Sequence, residues 1–140
     1  MTFVDTNVLV QSTATAAPFH MAARSALARL RAGGPVAISR QILREYFAAS
    51  TRPQSWAKAL TLAEATEDTD GFIQRFAVLE DGPAVWSQLM ALSRRFTFGG
   101  KQVHDANIVA TMLAHRETRL LTFNGADFRR FGSLIEVVAP

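Results

Sequence analysis

An α/β domain on a mostly parallel sheet of four to five short strands is the fold class this sequence predicts, for three reasons. Short unbroken apolar runs alternate with segments of about a dozen residues at helical spacing, the pattern of strands buried on both faces by crossover helices. Glycine, proline and turn residues punctuate the chain between those segments. At 140 residues, 49% hydrophobic and 19% charged, it suits one compact domain over 1–140, with no repeat, linker or low-complexity tract.

Thr2–Val4 reads as a buried strand, and a short helix follows over Thr6–Val10. Pro18–Arg31 places Phe19, Ala23, Leu27 and Leu30 at helical spacing and stops at Gly33-Gly34-Pro35. Val36–Ile38 is a second strand, after which Ser39 caps a helix running to Ala49, before Arg52-Pro53. The spacing of Trp56, Leu60 and Ala63 or Glu64 predicts a helix over Trp56–Ala65. Phe76–Leu79 is a strand closed by Asp81-Gly82-Pro83, and Ala84–Arg95 is helical with Val85, Leu89 and Leu92 inward. Gly99-Gly100 breaks the chain ahead of a helix over Asp105–His115. Leu120–Phe123 and Ile135–Val138 supply the last strands. Right-handed crossovers then place helices on both faces of the sheet, a three-layer arrangement.

The absence of cysteine excludes disulfides and thiolate metal sites. Met1-Thr2-Phe3-Val4-Asp5 has no basic leader, and no apolar run approaches the length of a membrane span, so a cytoplasmic protein is expected. The net charge of +3 comes almost wholly from arginine, thirteen against two lysines. Arginine's planar donor fork matches phosphate oxygens, although such a bias also arises from codon usage.

Three acids sit where apolar residues are expected. Asp5 interrupts Phe3-Val4-Asp5-Thr6-Asn7-Val8-Leu9. Glu45 lies on the wheel beside the Ile42–Tyr46–Ala49 stripe. Asp105 heads the stripe continued by Ile108, Val109 and Met112. A buried carboxylate is costly unless it is paired, hydrogen-bonded or bound to a metal. Each acid also has a simpler reading: Asp5 as a helix cap, Glu45 as a snorkelling side chain, Asp105 as a partner of the helix dipole. In an open parallel sheet, however, ligands bind beyond the carboxyl ends of the strands. Asp5, with Thr6 and Asn7, belongs at that edge. Asn124 follows the strand at Leu120–Phe123, and Asp127 can reach back to the same edge, unless Asn124-Gly125 and Asp127 merely build a turn. His104 reads as a packing or hydrogen-bonding residue.

Gathered carboxylates repel each other unless a cation neutralises them. Their hard oxygens select Mg²⁺ or Mn²⁺ over Zn²⁺ or Cu²⁺. Such an ion can activate water and neutralise a phosphodiester, so the cluster points to metal-assisted phosphodiester hydrolysis.

Val4-Asp5-Thr6-Asn7-Val8-Leu9, Glu45 in the helix after the second strand, Gly100-Lys101-Gln102-Val103-His104-Asp105-Ala106 and Leu121-Thr122-Phe123-Asn124-Gly125-Ala126-Asp127-Phe128 together resemble the PIN-domain ribonucleases, specifically the VapC-type toxins of bacterial toxin–antitoxin pairs. The resemblance implies a PIN-like three-layer fold. It makes Asp5, Glu45 and Asp105 the main metal-binding acids, with Asp127 first and Asn124 second as the fourth, and Thr6 and Thr122 as supports. It further implies an RNA substrate, Mg²⁺ or Mn²⁺, a homodimer and a small antitoxin whose tail occupies the groove. Arg40, Arg44, Lys101, Arg129 and Arg130 are candidates for RNA phosphates, each with an ordinary surface charge as the simpler reading. Phe19, Tyr46, Phe47, Trp56 and Trp86 fit core packing better than a base-stacking platform, or in part a partner surface. Competing readings are a housekeeping PIN nuclease, a non-catalytic PIN-like module and a phospho-accepting receiver domain, whose phosphorylatable Asp has no counterpart at Ile38-Ser39-Arg40.

Overall fold

A computed structural model describes all residues, 1–140. Five strands form one sheet: β1 (Thr2–Val4), β2 (Val36–Ser39), β3 (Ala77–Leu79), β4 (Arg119–Leu121) and β5 (Glu136–Val138). Their order is β3-β2-β1-β4-β5 and every pairing is parallel. The chain therefore winds outward from β1 to one edge, then crosses back to β4 and winds to the other. The reversal falls between β1 and β4, the place where open parallel sheets hold ligands. A receiver-like sheet would run 2-1-3-4-5. That alternative does not describe this molecule.

Helices α1 (Thr6–Thr13), α2 (His20–Gly33), α3 (Arg40–Ser50) and α4 (Leu62–Arg75) connect the first three strands, with α1 packed on α2 and α3, and α3 on α4. α5 (Pro83–Arg95) and α6 (Gln102–Ala114) pack against each other, and α6 also meets a 3-10 helix over Gly125–Phe131. Right-handed crossovers put these two groups on opposite faces of the sheet. One core cluster unites Phe3 and Val4 of β1, Ile38 of β2, Leu120 and Leu121 of β4, Ile42 and Tyr46 of α3, and Ile108, Val109 and Met112 of α6. α6 is buried almost all round from Ala106 to Met112, so the stripe headed by Asp105 does face the interior. Gly100, at φ 57°, makes the left-handed turn that admits this helix.

Two expectations need correction. The helix expected over Trp56–Ala65 begins only at Leu62 and continues to Arg75. Thr61 sets its start through a capping box: Thr61 Oγ1 accepts from Glu64 N at 3.1 Å, and Glu64 Oε1 accepts from Thr61 N at 3.0 Å. Upstream, Gln54 and Ala57 exchange backbone hydrogen bonds, so the apolar spacing of Trp56 and Leu60 belongs to a loop. The aromatics also divide. Tyr46 is core and Phe47 and Trp56 are half-buried, but Phe19 is 54% exposed and Trp86 62% exposed. Phe19 instead stacks on Phe123 at 5.1 Å between centroids.

Candidate active site

Asp5 follows β1 directly and caps α1. Its Oδ1 accepts from Thr6 N at 2.7 Å, while Oδ2 accepts from Thr122 Oγ1 at 2.7 Å and from Asn7 Nδ2 at 3.1 Å. Thr122 stands just past β4, so this carboxylate bridges the two strands at the reversal of the sheet. Asn7 completes the bridge: Nδ2 also donates to Thr122 Oγ1 at 3.1 Å, and Oδ1 accepts from Phe123 N at 3.1 Å. Asp5 is thus both a cap and a cleft residue, and only 7% of it is exposed. Burial pushes its carboxyl above the usual range; the bonds from Thr122 and Thr6 N oppose that, and the charges of Glu45 and Asp127 add to it.

Glu45 is half-buried on α3. Its Oε2 accepts from Thr6 Oγ1 at 2.7 Å and its Oε1 from Gln41 Nε2 at 2.9 Å. Gln41 Nε2 donates in addition to the carbonyl of His104 at 2.8 Å, and Gln41 Oε1 accepts from Asn107 Nδ2 at 2.8 Å. Asn107 Nδ2 reaches Asp81 Oδ2 at 3.1 Å as well. One buried amide therefore ties Glu45 to the first turn of α6, where Asp105 sits.

Asp105 differs from the other two. It is half-buried and accepts no hydrogen bond from the protein, and its carboxyl is pushed up to about 6. Burial is the main cause; Asp127, Asp5 and Glu45 raise it further, and His104 partly offsets them. Asp127 lies on the 3-10 helix, exposed, with its backbone N–H bonded to the carbonyl of Asn124.

Asp5, Glu45, Asp105 and Asp127 line one cleft of about 740 Å³, together with Thr6, Asn7, Asn124, His104, Gln11 and Arg52. Thr122 lies beneath, supporting Asp5. Asp127, whose charge acts on both Asp5 and Asp105, is the fourth carboxylate on the cleft wall, and Asn124 lines the same wall as a neutral amide. The donors are all hard oxygens, which suits Mg²⁺ or Mn²⁺ in kind. In position, no three of these side chains are gathered around a single ion as they stand. Closing on a cation would need the acids to draw together.

The basic residues fall elsewhere than expected. Arg40 pairs with Glu80 through two bonds, at 2.9 and 3.3 Å, and Arg130 donates to the Thr97 carbonyl at 2.8 Å. Arg44, Lys101 and Arg129 are exposed but do not line the cleft. Arg52, passed over in the sequence as a helix end, is the one Arg or Lys that does. His104 is exposed on the cleft wall rather than packed. Gln41 was also missed, although its position four residues before Glu45 places both on one helical face.

This sheet order and this acid-lined edge define a class of α/β domain, and the comparisons with known proteins identify it. The PIN domain family matches residues 2–134, and the chain belongs to that family. Among solved structures it resembles the sarcin–ricin loop cleaving toxin VapC20 of Mycobacterium tuberculosis (TM-score 0.72, 18% identity, all of both chains). It resembles equally VapBC2 of Rickettsia felis bound to a promoter DNA fragment (TM-score 0.69, 19% identity, 98% of this chain and 96% of that one). A toxin–antitoxin complex from Klebsiella pneumoniae is similar at TM-score 0.69 and 22% identity, over 99% and 96% of the two chains. No curated protein sequence matches the chain.

Proposed function

We propose that this PIN domain is a Mg²⁺- or Mn²⁺-dependent endoribonuclease, the toxin of a VapBC-type pair. The observation that carries the reading is the convergence of four carboxylates on one cleft, with Asp105 left without a protein hydrogen bond at the head of a buried helix. Such an acid costs stability and is offset only in part by His104, as expected for a group whose partner is a ligand. The likeness in fold to a toxin that cleaves the sarcin–ricin loop supports RNA as substrate.

In this reading Asp5, Asp105, Glu45 and Asp127 hold the cation. A divalent ion bound there supplies Lewis-acid activation of water and neutralises phosphate charge. The chain's own groups do the positioning. Thr122, Asn7 and the Thr6 N–H fix both oxygens of Asp5; Thr6 Oγ1 and Gln41 fix those of Glu45. Asn124 and Arg52 border the path of the strand, and Arg52 offsets the acidity that would otherwise repel a phosphodiester. Exposed Arg44, Lys101 and Arg129 are available to phosphates farther along, whereas Arg40 and Arg130 are already engaged. In the reaction, water oxygen bonds to phosphorus, the bond to the leaving ribose oxygen breaks, and that oxygen takes up a proton.

The protein acts in the cytoplasm as a homodimer and is held inactive by a small antitoxin whose tail fills the groove. That the solved relatives include toxin–antitoxin complexes supports the partner, and no helix is long and apolar enough to cross a membrane. Purified protein is expected to cut RNA with Mg²⁺ or Mn²⁺ and to stop in EDTA. Asp105→Asn is the cleanest variant, because it breaks no hydrogen bond of the fold. It should lower the cleavage rate by roughly two orders of magnitude or more. Full activity in a folded Asp105→Asn protein would sink the mechanism.

A further inference from the structure

We propose that the loop between α3 and α4 forms a nucleobase subsite, taking one unpaired base of the RNA next to the bond that is cut. The inference rests on the ribonuclease reading and adds to it the part of the substrate that this loop grips.

A second cavity, of about 330 Å³, opens beside the acidic cleft. Val10, Ala49, Gln54 and Trp56 line both, so the two form one continuous surface with the Trp56 indole at the junction. The volume sits at the low end of small-molecule sites and holds a single flat heterocycle. Its walls are largely apolar, with Thr13, Thr15, Ser50, Gln54, Lys58 and Asp68 as the polar residues, two of which meet Tyr46. The Tyr46 hydroxyl donates to Asp68 Oδ2 at 2.5 Å and lies 3.0 Å from Thr13 Oγ1. Asp68 Oδ1 has no partner in the protein and can accept from an N–H on the edge of a base.

The loop that presents the indole is tied down. Gln54 and Ala57 exchange two backbone hydrogen bonds, at 2.9 and 3.4 Å, and Leu60 N donates to the Ser50 carbonyl at 2.8 Å. Gln54 Nε2 donates to the Ala49 carbonyl at 3.1 Å. A large indole, half-exposed on a braced turn, is poor packing but a good stacking face, and base–aromatic stacking tolerates any base. Arg52 lies near the start of the same loop, lines the acidic cleft and forms no salt bridge.

The loop therefore offers a cation and an aromatic face, and Asp68 of α4 adds a hydrogen-bond acceptor in the adjoining cavity. A nucleotide brings the matching set: a phosphate, a heterocyclic face and an N–H edge. An apolar side chain from a protein partner would satisfy the walls but cover Asp68 Oδ1 without a bond, which is costly.

The test begins by mapping the sites that wild-type protein cuts in ribosomal RNA with Mg²⁺. A short RNA carrying one such site is then made with each nucleobase in turn removed to leave an abasic ribose. Loss of one base beside the cut should raise KM about tenfold or more with little change in kcat. Trp56→Ala should raise KM on the intact RNA by a similar factor and be indifferent to that abasic position. Cleavage that ignores every abasic position, or abasic penalties unchanged in Trp56→Ala, would overturn the subsite while leaving the nuclease reading intact. So would a Trp56→Ala protein that cuts RNA normally yet binds its antitoxin weakly, since the cavity would then be a protein contact. Absence of any RNA cleavage by wild-type protein would remove the nuclease reading and this inference with it.

Discussion

Asp105 and Gln41 show how single side chains carry the site. The Asp105 carboxyl, raised to about 6 from an ordinary 3.8, is easier to protonate in the folded chain than in the unfolded one. The folded state therefore holds more protons between those values, and stability falls as pH rises through that window. Asp5, raised in the same direction, adds to the effect. Asp105→Asn is expected to raise Tm by a few degrees at pH 7 in metal-free buffer, with the gain vanishing near pH 3.5; thermal melts at the two pH values check it. Gln41 is 5% exposed and bonded to Glu45, the His104 carbonyl and Asn107 at once. Gln41→Met keeps its bulk but frees Oε1 of Glu45, leaving Oε2 on Thr6, and leaves the carbonyl unpaired. The cost should be about 1–3 kcal/mol of stability, read by denaturant melts. With it should come a lower kcat at unchanged KM and a higher Mg²⁺ requirement, which a purely structural defect would not produce.

At the scale of elements, α6 and α4 teach opposite lessons. α6 was readable because its buried run is long and its break at Gly99-Gly100 is sharp, and the inward stripe forced attention onto Asp105. α4 was misplaced by apolar spacing, since Trp56 and Leu60 mimic a helical face while serving a loop. The local signal that decides the matter, Thr61-Leu62-Ala63-Glu64, is a capping box whose two bonds form in the structure. Thr61→Ala should therefore destabilise the domain by about 1 kcal/mol, a Tm loss of about 3–5 °C in a chain of this length. If α4 began at Trp56 instead, the same substitution would fall in a helix interior and be neutral or favourable.

Across the whole molecule, the gathered acids repel one another, and on the proposed reading a divalent cation should relieve that cost. Carboxylates from α3, α6, the 3-10 helix and the end of β1 face one cleft, and a cation that binds only the folded arrangement must stabilise it by mass action. Adding Mg²⁺ at 100 times its Kd should raise stability by about 2.7 kcal/mol, and the rise should be lost in Asp105→Asn; calorimetry with and without the ion checks it. Much of this design was legible in the sequence. The alternation of apolar runs with helices determined a parallel α/β sheet, because burial on both faces leaves strands no polar side to show. The position of Asp5 after its strand, and of Asp105 at the head of an apolar stripe, pointed to the sheet edge where the acids line one cleft, because strand ends and helical periodicity are local properties. Tertiary structure alone decided the rest. The order β3-β2-β1-β4-β5 brought Asp5 beside Thr122 across the sheet reversal. Gln41 gained its role only when α3 met α6, and Arg52, rather than Arg40, Arg44, Lys101, Arg129 or Arg130, came to border the acids. Those pairings join residues far apart in the chain, and neither periodicity nor spacing encodes which distant side chains a fold will bring into contact.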